Sequence, residues 1–166
     1  MSQTVHGTAV LAGAHGVLIG GASGAGKSML AQALMERGAR LVADDRVSIS
    51  ACHGRIVASA PAAISGLMEL RGRGLLALPY ERFAVIRLIA EIVSDEARER
   101  MPEADQLTTE ILGIAVPRQP VPGATEVAMR LIEAALAALS PPGSYGLAVG
   151  ASLRMMTLLS PHMAYP

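Results

Sequence analysis

Hydrophobic positions occur in short runs along most of the chain, and several runs alternate with polar residues, which is typical of strands. This pattern predicts strands at residues 8–12, 17–20, 40–43, 47–51, 55–59 and 83–93. Turn sequences that contain glycine separate two pairs of these strands, at 13–16 and 52–54, so each pair is predicted to form a hairpin. Residues 68–76 are also predicted to be extended.

Two segments have the apolar spacing of amphipathic helices instead. They cover residues 27–37 and 126–139. The apolar side of the first helix consists of Leu30, Ala33 and Leu34, and that of the second consists of Val127, Leu131, Ala135 and Leu136. Gly38 follows the first helix, and glycine is common just after a helix C-terminus because it adopts positive φ without strain.

The segments around the second helix are predicted to be less regular. Residues 94–106 are charged and contain Pro102, so they predict an irregular or mobile loop with at most a helical turn. Three prolines restrict residues 116–123 to extended or turning backbone. The tail at 140–166 remains ambiguous, with a helix that docks on the body or on another subunit as one option for residues 151–159.

The composition fits one domain covering residues 1–166, with an ordered core at about 4–139. Apolar residues make up 51% of the chain and aromatic residues only 2%, so the core must consist of Leu, Ile, Val, Ala and Met. The scarcity of aromatic residues argues against binding single-stranded nucleic acid by base stacking. The formal net charge is zero, which weighs against DNA or an anionic membrane as the main partner.

The single cysteine, Cys52, rules out an intrachain disulfide and favours a reducing, cytoplasmic setting. No basic segment precedes the first apolar run, so no signal peptide is expected. Charged residues interrupt every long apolar run, so no transmembrane helix is expected either.

The strongest chemical signal is the phosphate-binding pattern GxxxxGK[ST], which follows a predicted strand and opens a predicted helix. It consists of Gly21, Ala22, Ser23, Gly24, Ala25, Gly26, Lys27 and Ser28. Its glycines let successive backbone N–H groups point at phosphate oxygens, and the helix N-terminus adds its dipole. Lys27 is then expected to reach the outer phosphates of ATP, and the Ser28 hydroxyl to bind Mg²⁺.

Asp44 and Asp45 form the second signal, because they follow the next predicted strand. Ligands of open α/β sheets bind beyond the carboxyl ends of strands, so one carboxylate should lie beside the phosphates. In an extended segment the two side chains point to opposite faces, and they cannot share one role. We assign Asp44 to the reacting centre, as acceptor of a proton from an attacking hydroxyl, and Asp45 to an orienting contact. The alternative is a solvated turn.

The segment Met68-Glu69-Leu70-Arg71-Gly72-Arg73-Gly74 is the third signal. If it is extended, Glu69, Arg71 and Arg73 share one face. Glu69 can then complete a Mg²⁺ shell, and Arg71 can neutralise charge on a transferring phosphoryl group. A surface strand with an ion pair and a flexible glycine turn explains the same residues equally well.

Taken together, these motifs resemble the catalytic C-terminal domain of HPr kinase/phosphorylase, in the short alphaproteobacterial-type form without the usual N-terminal domain. The resemblance covers residues 4–139 and rests on HG at 6–7, GVLIGGASGAGKS at 16–28, RGARLVADDRV at 37–47 and MELRGRG at 68–74. Departures include Met29, where many members have an acidic residue, and Gly123-Ala124-Thr125, where Gly-Arg-Asn is common. In the loop at 94–106, Arg98 and Arg100 are only candidate site residues.

The resemblance implies an α/β fold, with a P-loop core and a mixed β-sheet flanked by helices, related to phosphoenolpyruvate carboxykinase. It implies a kinase that uses ATP and Mg²⁺ to phosphorylate a serine of the phosphocarrier HPr and a reverse phosphorolysis that yields pyrophosphate. Asp44 then acts as base or acid, Ser28 and Glu69 lie near the metal, Arg71 is a signature arginine, and Asp45 holds His6. A cytoplasmic hexamer that regulates the phosphotransferase system is implied as well.

Two other function classes stay open at this stage. A small-metabolite kinase of the shikimate-kinase type also has acidic residues one strand after its P-loop helix. Such kinases continue with further strand–helix units and an arginine-bearing lid, whereas hairpins are predicted here after Asp45. A regulatory module that binds nucleotide without catalysis is the third hypothesis, and the presence of Asp44 counts against it.

Overall fold

The computed structural model of the protein describes residues 1–123 and 125–140, and the predicted tail lies outside this part of the chain except for Ser140. The strands are β1 (Ser2–His6), β2 (Thr8–Ala12), β3 (His15–Gly21), β4 (Arg40–Ala43), β5 (Arg46–Cys52), β6 (Arg55–Ser59), β7 (Leu67–Leu70), β8 (Gly74–Ala77), β9 (Ala84–Ile92), β10 (Thr108–Ile111) and β11 (Ile114–Val121). The helices are α1 (Lys27–Glu36) and α2 (Thr125–Leu139).

Nine strands form one mixed sheet, in the order β1-β5-β6-β9-β3-β2-β4, with β11 also paired to β9 and β10 paired to β11. The central strand β9 is parallel to β3 along one edge. Its other edge is shared, with β6 antiparallel at residues 84–86 and β11 parallel at residues 89–92. Because β3, β9 and β11 are parallel, their carboxyl ends meet at one edge of the sheet, where ligands bind in open α/β folds.

Each face of the sheet has its own hydrophobic core, because successive side chains of a strand point to opposite faces. On one face, Val10, Ile19 and Leu88 pack against buried residues of both helices. On the other face, neighbouring positions such as Leu18 and Ile89 pack against Ile49 and other strand residues. No helix residue among those described joins this second core, so strands and the segments that connect them enclose it and the sheet must curl around it.

Both predicted helices are present, and Gly38, with φ of 99°, follows α1 as expected. The predicted apolar side of α2 was partly wrong. Val127 is 45% exposed, and the buried positions of α2 are Ala128, Met129, Ile132, Glu133 and Leu136. The buried side includes the acidic residue Glu133, which a count of apolar positions alone assigns to solvent. Neither helix is long and apolar enough to cross a membrane.

The burial of Glu133 is explained by Arg37, which lies just after the last residue of α1. Nη1 of Arg37 donates a hydrogen bond to Oε1 of Glu133 at 2.5 Å, and Nη2 lies 3.4 Å from Oε2 of Glu126. The side chain of Glu133 is only 8% exposed, so its charge requires a partner. The ion pair therefore joins the C-terminal end of α1 to the middle of α2.

Replacing Arg37 by methionine should leave the carboxylate of Glu133 buried without its charged partner. We expect the free energy of unfolding to fall by about 1–3 kcal/mol, as for other unpaired buried polar groups. Chemical denaturation followed by circular dichroism measures this change. The matched control is Arg130→Met, because Arg130 is 74% exposed and contacts only Glu126 in an i,i+4 pair among the described residues. An equal loss in both variants would contradict the assigned role of Arg37.

Three other expectations differ from the structure. Residues 68–76 do not form one extended segment, because β7 and β8 pair as a hairpin with a turn at residues 71–73. Two strands, β1 and β10, were not predicted. Their sequences, SQTVH and TTEI, are mostly polar and lack an apolar run, and they gain strand structure by pairing with β5 and β11.

Candidate active site

A glycine loop, defined here as residues 21–28, joins the carboxyl end of β3 to the first turn of α1. Gly21, Gly24 and Gly26 have φ of 142°, 77° and 100°, values that residues with a side chain rarely adopt. A Cβ at Gly21 would lie 3.1 Å from both Cβ and the carbonyl oxygen of Ile92. The loop therefore packs tightly against the end of β9, which holds it at the edge where the parallel strands end.

The N-terminus of α1 is open toward this loop. Gly26 occupies the N-cap position and donates no side chain to the first amides, and the first turn contains no acidic residue. The first amide groups of a helix have no partner within the helix, and they carry a partial positive charge. The end of the helix and the curled backbone before it thus form an environment suited to an anion.

Lys27 lies inside the loop, with only 7% of its surface exposed. Its Nζ donates hydrogen bonds to the carbonyl oxygen of Gly21 at 3.0 Å and to that of Ala22 at 2.8 Å. Lys27 is also the only lysine in the sequence, whereas arginine supplies every other basic charge apart from histidine. A compact, movable ammonium group is therefore present at this one place, between the glycine loop and the start of α1.

Asp44 joins three elements at the mouth of the loop and is 5% exposed. Its Oδ1 accepts hydrogen bonds from the hydroxyl groups of Ser28 and Thr8, each at 2.8 Å. Its Oδ2 accepts a bond from the backbone N–H of Glu69 at 3.2 Å. Residues from α1, β2 and β7 thus converge on one carboxylate, so its position is defined by the tertiary structure.

Asp45 points away from Asp44, though for a different reason than expected. The segment is not extended at this point, because Asp45 has φ of 65° in a tight turn in which the N–H of Arg46 bonds the carbonyl of Asp44. Aspartate tolerates this left-handed conformation better than most residues. The turn sends the two carboxylates to different surroundings, and that of Asp45 is 64% exposed.

His6 contacts this turn from the end of β1. Its Nδ1 lies 3.0 Å from the carbonyl oxygen of Asp45 and 3.3 Å from Oδ1 of the same residue. A carbonyl oxygen only accepts hydrogen bonds, so Nδ1 must carry the proton. The N–H of Gly7 donates to the same carbonyl at 3.2 Å. The contact between His6 and Asp45 is therefore present, at the rim of the site rather than at its centre.

The hairpin formed by β7 and β8 covers one side of the glycine loop. Glu69 approaches Asp44 through its backbone, while its carboxylate is exposed. Arg71 lies in the hairpin turn, and a Cβ at Gly24 would be 3.6 Å from its Nη2, so its guanidinium group lies over the loop. Arg73 is in the same turn, and the expectation that Glu69, Arg71 and Arg73 share the face of one strand was wrong.

The described part of the chain has no group of three or more His, Cys, Asp or Glu side chains arranged to hold a metal ion. Mg²⁺ commonly binds only one or two protein oxygens and completes its shell with phosphate oxygens and water. Ser28 has its hydroxyl beside Asp44, whereas Glu69 contacts Asp44 through its backbone N–H.

Comparison with known proteins identifies the family. The family model of the HPr Serine kinase C-terminal domain matches the sequence at residues 1–142. The chain belongs to this family. Members of known sequence include the HPr kinase/phosphorylase of Clostridium tetani, which is 34% identical over 71% of this chain and 42% of the relative. That of Bordetella pertussis is 38% identical over 69% of this chain and 41% of the relative.

The chain thus spans about two fifths of the length of the curated HPr kinase relatives it matches. Among solved structures, the Hpr(Ser) kinase/phosphatase from Coxiella burnetii has 27% sequence identity and a TM-score of 0.71. This match covers 82% of the present chain and 98% of the Coxiella chain. The mixed α/β architecture is therefore shared with an HPr kinase of known structure.

Within this HPr kinase family member, the structure brings together most of the residues singled out from the sequence. Ser28, Asp44 and the backbone of Glu69 form one hydrogen-bonded group, Lys27 bonds carbonyl oxygens of the adjoining loop, and Arg71 lies near Gly24 of that loop. Thr8 was missed, because a lone threonine at the start of an apolar strand has no distinctive pattern. The pairing of Ala9 with Ala43 places Thr8 next to Asp44, and no local sequence signal announces that pairing.

Proposed function

We propose that the protein is an ATP-dependent serine kinase of an HPr-type phosphocarrier and also catalyses phosphorolysis of the seryl-phosphorylated carrier. The observation that carries this proposal is the carboxylate of Asp44, held 2.8 Å from the Ser28 hydroxyl at the end of the glycine loop. Membership in the HPr serine kinase family supports the choice of substrate.

The glycine loop is proposed to act as the P-loop of a core related to phosphoenolpyruvate carboxykinase. Backbone N–H groups of residues 21–26 and the N-terminus of α1 are suited to bind the phosphates of ATP. Lys27 would exchange its bonds to the loop carbonyls for bonds to the outer phosphates. Ser28 and Glu69 would hold Mg²⁺, which supplies charge neutralisation between the phosphates when bound.

Asp44 is proposed to move the proton in both directions. In the forward reaction it accepts the proton of the serine hydroxyl while the serine oxygen attacks the γ-phosphorus, and the bond from that phosphorus to the ADP oxygen breaks. In the reverse reaction an oxygen of inorganic phosphate attacks the seryl phosphate. Asp44 takes the proton of the attacking hydrogen phosphate and passes it to the serine oxygen as the bond from that oxygen to phosphorus breaks, so the products are pyrophosphate and the free serine hydroxyl.

Two other residues are proposed to assist this centre. The guanidinium group of Arg71, above Gly24, can balance negative charge on the phosphoryl group in transfer. His6 and Asp45 are proposed to orient the turn that carries Asp44, since His6 bonds the backbone of Asp45 directly. A cytoplasmic location and a hexameric assembly are further parts of the proposal, and light scattering of the purified protein measures the assembly.

The topology after Asp45 disfavours the small-metabolite kinase. Such enzymes continue with strand–helix units, whereas Asp45 is followed here by β5 and β6 as an antiparallel hairpin. The non-catalytic module is disfavoured by the buried, three-fold hydrogen-bonded carboxylate of Asp44, because binding phosphates alone does not require a carboxylate at this place.

Transfer of labelled phosphate from γ-labelled ATP to purified HPr-type carriers, in the presence of Mg²⁺, tests the proposal. We expect phosphoserine on the carrier, no label on a carrier whose acceptor serine is replaced by alanine, and release of pyrophosphate when excess phosphate is added. Tight ATP binding without labelling of any carrier would contradict the kinase assignment. A screen of small metabolites as phosphate acceptors would then distinguish a small-metabolite kinase from a module that binds nucleotide without catalysis.

A further inference from the structure

Thr8 is a buried polar residue that the proposed reaction does not yet use. It is 1% exposed, and the other buried polar or charged residues described are Lys27, Asp44 and Glu133. Strands β2 and β4 are antiparallel neighbours, and the pairing of Ala9 with Ala43 places Thr8 of β2 opposite Asp44, which directly follows β4. From this position its hydroxyl donates a hydrogen bond to Oδ1 of Asp44 at 2.8 Å.

Oδ1 of Asp44 accepts hydrogen bonds from two hydroxyl groups, those of Ser28 and Thr8, and only one of these residues is a proposed metal ligand. Ser28 lies at the start of α1 beside the glycine loop, where its hydroxyl oxygen is the proposed ligand of Mg²⁺. A hydroxyl can bind a cation through a lone pair and still donate its proton, so the contact of Ser28 with Asp44 is coupled to the metal. Thr8 is enclosed in the sheet, and a β-branched side chain has few rotamers. Thr8 is therefore the donor to Oδ1 whose position does not depend on a bound metal or nucleotide.

The two oxygens of the carboxylate are consequently not equivalent. Oδ1 is held by buried Thr8, whereas Oδ2 accepts one longer bond, 3.2 Å, from the N–H of Glu69. A carboxylate oxygen has room for a second donor beside one such bond. Oδ2 is thus the oxygen with capacity for the serine hydroxyl of the carrier.

We propose that Thr8 is a positioning residue that locks the orientation of Asp44, so that Oδ2 serves as the proton acceptor during phosphoryl transfer. This inference rests on the proposed kinase function. It extends that function by assigning separate tasks to the two oxygens of one carboxylate. Without the hydroxyl of Thr8, the carboxylate can rotate, and displacements of about 1 Å at a reacting group cost about 100-fold in rate.

The test compares three variants: Thr8→Val, which removes the hydroxyl at nearly constant volume, Thr8→Ser, which retains it, and Thr109→Val, the same change on distant β10. We expect kcat for transfer to the carrier to fall about 10- to 100-fold in Thr8→Val, with the Kd for ATP unchanged. Thr8→Ser should restore kcat, and Thr109→Val should match the wild type. Equal kcat in Thr8→Val and the wild type would overturn the proposal.

A second readout does not depend on catalysis. The carboxyl ¹³C resonance of Asp44, assigned by its loss in Asp44→Asn, should move in Thr8→Val and keep its position in Thr8→Ser. If the wild type transfers no phosphate, the kinase assignment fails while this resonance still decides whether Thr8 holds the carboxylate. An unchanged resonance in Thr8→Val would overturn the role of Thr8 even in an active kinase. Should Thr8→Val not fold, Thr8→Ala replaces it in both measurements.

Discussion

Replacing Lys27 by alanine should weaken ATP binding and nearly abolish phosphoryl transfer. The ammonium group is enclosed by the glycine loop, 2.8 Å and 3.0 Å from two backbone carbonyl oxygens, and no second lysine in the sequence can replace it. Loss of one charge-assisted bond to phosphate should raise the Kd for ATP about 10- to 100-fold. Loss of the same charge in the transition state should lower kcat about 1000-fold.

Calorimetric titration with an ATP analogue that resists hydrolysis measures the first effect, and the labelled-phosphate assay measures the second. Arg82→Ala is the matched control, because it removes an exposed cation outside the site. A melting curve must accompany the lysine variant, since Nζ also bonds the loop backbone. Wild-type ATP affinity in a folded Lys27→Ala variant would remove the basis for treating residues 21–28 as a phosphate site.

Replacing Asp44 by asparagine should lower the rate of phosphoryl transfer without weakening ATP binding. The amide has the shape of the carboxylate but cannot accept the serine proton, so kcat should fall about 100- to 10,000-fold. The Kd for ATP should stay near the wild-type value, because phosphate contacts are assigned to the loop and Lys27. The rates of transfer to the carrier and of phosphorolysis should fall together, since one carboxylate is proposed to move the proton in both reactions.

The contacts of Asp44 also predict a modest loss of stability in this variant. If the asparagine oxygen accepts from Thr8 and Ser28, its NH₂ group faces the N–H of Glu69, and two donors then oppose each other. A destabilisation of about 1 kcal/mol is expected from this mismatch. Asp105→Asn is the control, because Asp105 is exposed and has no proposed role in the site. Wild-type transfer by Asp44→Asn would disprove the assignment of Asp44 as base.

Local patterns in the sequence were sufficient for most elements and for the glycine loop. The period of apolar residues marks β2, β3, β5, β6 and β9, and the positive φ of Gly21, Gly24, Gly26 and Gly38 is a property of single residues. The loop and the start of α1 are adjacent in the chain, so their joint geometry follows from short-range backbone preferences. Candidate residues on that segment could therefore be recognised before any tertiary contact was known.

Only the tertiary structure decided how distant polar residues pair. Glu133 lies on the buried side of α2, where it pairs with Arg37 of the segment after α1, 96 positions earlier in the chain. The left-handed turn at Asp45 likewise has a partner from another element, because His6 of β1 bonds the carbonyl oxygen of Asp45.

The same distinction applies within the site itself. The sequence by itself determined that a glycine loop with the GxxxxGK[ST] pattern is followed by a helix and then by a strand with two aspartates directly after it, because these features have local causes. It could not determine that Thr8, 36 positions before Asp44, would hold one oxygen of that carboxylate. Strand pairing between β2 and β4 brings the two residues together, and such long-range pairing is set by how whole strands pack rather than by the residues at either site.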